Sequence, residues 1–190
     1  MGERTKLVKA RSINRLIFYG IAGFGIGGAV GGAIWVAFDA PHIGFAIWGA
    51  LGGASLSLNK GDWRRTIITI VACAIGFDFG FLFPFFVSLV IWEPTYGQGF
   101  FLGCIGGVIG GVSLSLGLKE WRRSWLLALA GAIGFGIAAQ ATWDILRGLE
   151  PQVLWGAIRL FIWSIVGGAS LGAALGYIEK KDISRQPGGD

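Results

Sequence analysis

The chain has 190 residues, 54% of them hydrophobic and 14% charged, with 34 glycines, 9 tryptophans and a formal net charge of +5. A soluble domain carries about 25% charged residues and must leave many side chains facing water, so this composition excludes one; disorder needs the opposite, low hydrophobicity and high charge. The glycines follow no period of three and only five prolines accompany them, which excludes collagen and leaves a polytopic membrane protein.

In chain order, Arg4, Lys6, Lys9, Arg11 and Arg15 precede the apolar run Leu16–Phe38. That run is too long for a cleavable signal peptide and no small-x-small site follows it, so it reads as a signal anchor. After Asp39-Ala40-Pro41 and His42 comes Ile43–Leu58, short of the roughly 20 residues a spanning helix needs. It thins the bilayer locally or is partly buried. Lys60, Arg64 and Arg65 lead into Thr66–Trp92, which contains Asp78 and a proline, Pro84, expected to kink it. Glu93-Pro94 is followed by Gly99–Leu118, then by Lys119, Arg122 and Arg123. Ser124–Leu146 carries Gln140 and Asp144, and Val153–Tyr177 carries Arg159. Lys180, Lys181 and Arg185 close the chain. Strands of a β-barrel would be shorter and would alternate polar with apolar.

The reading is therefore an all-α integral membrane protein with six transmembrane helices. Lysine and arginine gather in alternate connections, so the positive-inside rule places both termini and the two basic loops in the cytoplasm. The localisation that follows is a plasma membrane of bacterial type. The net positive charge is explained by juxtamembrane loops meeting anionic lipid headgroups, and no nucleic acid is expected as a partner.

One hairpin recurs. Gly52-Gly53-Ala54-Ser55-Leu56-Ser57-Leu58 precedes Asp62-Trp63-Arg64-Arg65, and Gly110-Gly111-Val112-Ser113-Leu114-Ser115-Leu116 precedes Glu120-Trp121-Arg122-Arg123. Gly167-Gly168-Ala169-Ser170-Leu171 is a third copy without the tryptophan. Gly23-Phe24, Gly76-Phe77 and Gly134-Phe135 occupy equivalent places on the odd spans. The repeats cover residues 11–58, 64–118 and 122–178 of one membrane domain, with short tails at 1–10 and 179–190. Each has an even number of spans, so the hairpins are parallel and imply a pseudo-threefold axis along the membrane normal. The plan resembles mitochondrial carriers in outline. Their Pro-x-[Asp/Glu]-x-x-[Lys/Arg] signature is absent, and no function is carried over.

Small residues every four positions mark close helix contacts in lipid. Gly49, Gly53 and Ser57 form such a stripe, as do Gly99, Gly103, Gly107, Gly111 and Ser115, and Ser164, Gly168, Gly172 and Gly176. These glycine-zipper patterns predict that the even helices meet closely within the chain; packing between subunits is the rival. Gly23, Gly25 and Gly28 also satisfy G-x-G-x-x-G, but no strand precedes them, so they too read as packing.

Catalysis is poorly supplied: the single histidine, His42, lies in a turn, and Cys73 and Cys104 form no metal-ligand pattern with it. Enzymatic activity, a metal and a cofactor are not expected. An ionisable residue inside a span is a functional hypothesis by default. Asp78 lies about 18 Å from the inner end of its span and Arg159 about 9 Å below the outer end of its own. In a core about 30 Å thick these depths are compatible with an ion pair. Asp78, Arg159, Asp144 and Gln140 are the candidates for binding a small solute or ion. Trp63, Arg64, Arg65, Trp121, Arg122 and Arg123 are the candidate lipid-interface residues, since tryptophan favours the headgroup level and arginine pairs with phosphate. The expected function is transport or a channel-like activity. The alternative is a scaffold or accessory subunit of a larger membrane complex, with a membrane-protein partner or a homo-oligomer.

Overall fold

The computed structural model describes residues 2–58, 61–91, 97–145 and 152–183, with the side chains of 2–12, 85, 88–91, 144–145, 152–156 and 182–183 outside that description. Among the described residues are six α-helices and no strand. They are α1 (Gly2–Phe38), α2 (Pro41–Ser57), α3 (Trp63–Ile91), α4 (Gln98–Leu118), α5 (Ser124–Ile145) and α6 (Gln152–Ile183), with a 3-10 turn at Trp121–Arg123 before α5. The expected spans lie inside these helices within a few residues, apart from their ends at Leu58, Trp92 and Leu146. The turns at Glu93-Pro94 and Glu150-Pro151 lie outside the described residues.

Five helices contain a stretch long and apolar enough to cross a membrane: Ile13–Phe38, Trp63–Pro84, Gln98–Leu118, Trp121–Trp143 and Ala157–Lys181. The sixth expected span falls short. Helix α2 has 17 residues, which reach about 25 Å at 1.5 Å per residue against a hydrocarbon core of about 30 Å.

Local chemistry explains the ends. Asp39 adopts a left-handed φ of 50° where α1 stops, and Pro41 opens α2, where its missing N–H costs nothing. Asp62 Oδ1 accepts the backbone N–H groups of Arg64 at 3.1 Å and Arg65 at 3.3 Å, so it caps α3. Lys119 closes α4 with φ 59°, its N–H bonded to carbonyls of the last turn.

Each helix packs antiparallel on its neighbours in chain order, and α6 closes the circle on α1 in the most extensive contact of all. The result is a ring of six. One end holds the α2–α3 and α4–α5 connections and the end of α6, with their basic residues; we call it the basic end. The other is the far end.

Ring order changes where the glycine stripes pack. The even helices barely meet, α2 and α4 touching only marginally; each stripe faces the odd helix that follows. A Cβ at Gly49 or Gly53 would overlap α3 at Cys73. A Cβ at Gly103, Gly107 or Gly111 would overlap the α5 backbone at Phe135, Gly131 and Leu127. Gly168 and Gly172 press in the same way on Gly20 and Leu16 of α1, and Gly176 lies against Ile13. The reason is steric: small residues remove the side chains that would hold neighbouring backbones apart, and lipid supplies no hydrophobic drive to compensate for looser packing.

The large residues point outward. Val71, Ile75, Phe79 and Phe83 on α3 and Trp125, Leu129, Ile133 and Ile137 on α5 are all exposed at four-residue spacing. A soluble bundle reverses this pattern. Small residues where helices touch and large apolar side chains facing outward are the arrangement of an integral membrane protein. On the axis, Phe24, Phe77 and Phe135 are fully buried and meet one another, with ring centroids 5.1, 6.0 and 5.5 Å apart. Each seats against a glycine of the next helix in the chain, Gly52, Gly110 and Gly167 respectively, where a Cβ would collide with the ring. Trp48, also fully buried, stacks on the far-end side against Phe77, Phe81 and Phe135. Aromatic pairs of this kind contribute roughly 0.5–1.5 kcal/mol each beyond area burial.

Candidate functional site

Beyond the aromatic layer, toward the far end, the ring encloses a cavity of about 240 Å³. Every helix contributes to its wall: Trp35 from α1, Phe45 from α2, Phe81 from α3, Leu102 from α4, Trp143 from α5, and Arg159, Leu160 and Trp163 from α6. The aromatic wall is continuous, since Trp35 contacts Phe45, Phe45 contacts Phe81, and Phe81 contacts Trp163. Among the described residues of this lining, Arg159 is the one that carries a charge. Its Cζ lies 5.9 Å from the ring centroid of Trp143, within range of a cation–π interaction.

The two tryptophans nearest Arg159 differ in their hydrogen bonding. Trp163 Nε1 donates to Thr142 Oγ1. Thr142 in turn donates to the carbonyl of Ala138 at 2.9 Å. Trp143 Nε1 is buried with no acceptor.

The four expected solute-binding residues do not converge. Arg159 lines the cavity and Asp78 does not. Asp78 is half-buried on α3, and its Oδ1 has no hydrogen-bond partner. It makes no ion pair with Arg159. Asp78 follows Phe77 of the aromatic layer while Arg159 stands about two turns nearer the far end, and α3 and α6 lie across the ring from one another, with Phe81 and Trp163 between them. Gln140 serves α4: its Oε1 accepts the Phe100 N–H at 3.0 Å, satisfying a first-turn donor that the helix itself leaves open. Asp144 belongs to α5, and its side chain lies outside the described residues.

The basic-end motifs also separate. Trp63 and Arg64 are exposed and 6.0 Å apart in cation–π geometry, while Arg65 stands 3.5 Å from the capping Asp62. Trp121 and Arg122 are exposed. Arg123 turns inward, its Nη1 donating to the Ile178 carbonyl of α6 at 3.2 Å, so it ties α5 to α6. Among the described residues no group of three or more His, Cys, Asp or Glu is placed to hold a metal ion.

No family model matches the chain, and no curated protein and no solved structure is similar to it. The site must be judged on its own chemistry. Sequence reasoning missed Trp143, Trp163 and Trp35 as cavity walls. It also missed Gln98, 7% exposed at the start of α4 with its Oε1 unpartnered. A usable signal existed for one of them: Trp163, like Trp48, stands one turn before a Gly-Gly pair, where α4 carries Gly106.

Proposed function

We propose that this is a small, non-enzymatic transporter that takes a small solute into the far-end cavity. Its six helices form three parallel hairpins about a pseudo-threefold axis. Both termini are cytoplasmic by the positive-inside rule, so the cavity lies in the outer half of the membrane. The observation that carries this reading is the cavity itself: a space walled by all six helices, with a charged side chain among aromatic ones. Ligand sites in helical bundles have this character, mostly apolar with few polar groups. The layer of Phe24, Phe77, Phe135 and Trp48 closes the path toward the basic end, so passage requires that layer to part. Asp78 lies outside this site, and the solute is assigned to Arg159 and Trp143.

The test is uptake by proteoliposomes of a panel of radiolabelled small anions, cations and neutral solutes. At least one solute should enter faster than into protein-free vesicles. Leu102→Trp, which fills the cavity, should abolish that uptake, and Asp78→Asn should leave it intact. Uptake of no solute, or uptake unaffected by Leu102→Trp, would overturn the assignment. The second reading, a scaffold or accessory subunit, is favoured by the solid aromatic axis, and it predicts a stable partner retained in mild detergent.

A further inference from the structure

The two basic turns of the ring, α2–α3 and α4–α5, carry the same acid-Trp-Arg-Arg motif and use it differently. We infer that the α4–α5 turn is a binding site for the phosphate of an anionic lipid headgroup, held between Lys119 and Arg122. The turn folds around a hollow of about 380 Å³ lined by Lys119, Glu120, Trp121, Arg122 and Arg123. The side chains of Lys119 and Arg122 have no hydrogen-bond, ion-pair or ring partner, and Glu120 neither caps the helix nor pairs with them. Arg123 is different: its Nη1 donates to the Ile178 carbonyl at 3.2 Å, which anchors the turn to α6. An arginine fork matches phosphate oxygens bidentately, and a lysine adds a compact charge beside it. In the α2–α3 turn the arginines of the motif are already engaged. Arg65 stands 3.5 Å from Asp62, and Arg64 lies 6.0 Å from the Trp63 ring centroid.

Backbone conformation adds an independent observation. Aligned on the motif, Lys119 stands where the α2–α3 turn has Gly61. Both are left-handed, Gly61 at φ 66° and Lys119 at φ 59°. Glycine is the residue such a helix end favours, since a Cβ is disfavoured there. Packing does not explain the lysine, because its side chain is exposed and has no polar partner. A cation kept against backbone preference is accounted for by a ligand from outside the chain. Lipid is the ligand at hand. The turn joins two stretches long and apolar enough to cross a membrane, Gln98–Leu118 and Trp121–Trp143, so the headgroups of that membrane lie beside it. Trp121, 65% exposed, is the residue type that settles among headgroups. A phosphodiester with an uncharged glycerol head brings one negative charge to Lys119 and Arg122. A choline head adds an ammonium that both repel.

The experiment is native mass spectrometry of the full chain, released from a non-ionic detergent, with dioleoyl phosphatidylglycerol or dioleoyl phosphatidylcholine added. Phosphatidylglycerol should be retained more tightly than phosphatidylcholine. Lys119→Gly installs the residue of the α2–α3 turn, so the fold accepts it. That variant and Arg122→Gln should each weaken phosphatidylglycerol about fivefold, the size of one basic residue's attraction to an anionic surface, at unchanged or higher thermal stability. Arg64→Gln, whose cation already has a ring partner, should leave binding nearly unchanged. Equal retention of the two lipids would overturn the assignment. So would equal losses in Arg64→Gln and Arg122→Gln, which would mean a uniform attraction of basic loops to lipid. Inorganic phosphate or glycerol phosphate held as tightly as phosphatidylglycerol would overturn the lipid source. Poly-glutamate held more tightly than either lipid would overturn it in favour of an acidic protein segment. None of these outcomes bears on uptake through the far-end cavity, which Leu102→Trp reports separately.

Discussion

The basic-end and far-end halves of the helix ring pack differently. In the alignment that pairs Gly52, Gly110 and Gly167, the odd helices supply Phe24, Phe77 and Phe135 at one level. Three identical rings meet three identical notches, and the layer is solid. One turn toward the far end, the same alignment pairs Trp48 and Trp163 with Gly106, and Phe81 with Gly28 and Ala139. Phe81 lies over Gly106, where a Cβ would meet its ring, and against both tryptophans. Two turns along, Gly44, Leu102 and Arg159 correspond. Large and small residues no longer alternate around the ring, so the space cannot be tiled evenly, and a cavity with Arg159 in its wall is left.

That contrast can be broken most forcefully in the packed layer. Phe135→Ala should cost about 3–5 kcal/mol, as for a fully buried aromatic in a close-packed core. Trp35→Ala, in a half-buried wall beside existing space, should cost less than half of that. Denaturation in mild detergent with increasing dodecyl sulfate measures both, and equal losses would erase the distinction between the halves. Next in size, Gly107→Val drives a side chain into the Gly131 backbone and should destabilise by about 1–3 kcal/mol. Gly25→Ala adds a Cβ at ordinary van der Waals distance, 3.5 Å from Phe161, and should be neutral or stabilise by up to about 1 kcal/mol through helix propensity. A destabilising Gly25→Ala would mean that glycine spacing alone, and not backbone approach, governs packing. The smallest effect separates the two copies of the basic-end motif. Asp62 caps α3 and Glu120 makes no side-chain cap, so Asp62→Ala should cost about 1 kcal/mol and Glu120→Ala within about 0.5 kcal/mol of nothing.

Much of the fold was legible because its causes are local. Long apolar runs set the helices, Pro41 and Asp62 mark two starts, and four-residue glycine spacing marks the close contacts. The partners of those contacts were not legible. Gly107 announces an interface without saying that α5, rather than another even helix, fills it. The site suffered from the same gap. Arg159 stood out as a charge in an apolar run, and it does line the cavity. Asp78 stood out for the same reason and does not, because it sits beside Phe77 at the level of the packed layer and α3 lies across the ring from α6. Gln140 looked like a solute contact, and its hydrogen bond to Phe100 shows why polarity inside a span is ambiguous: a helix end also needs partners. Trp143 escaped notice because tryptophan near a span end is ordinary in a membrane protein.

The central claim is that the ring is solid toward its basic end and hollow toward its far end. Single cysteines at Leu102 in the cavity wall and at Leu114 in the packed half, in a Cys73→Ala, Cys104→Ala background in proteoliposomes, test it directly. Both leucines are buried, at 6% and 0% exposure, so burial alone does not separate them. The account predicts that a small thiol reagent modifies Leu102→Cys and leaves Leu114→Cys untouched. Equal modification of the two, or protection of both, would contradict it.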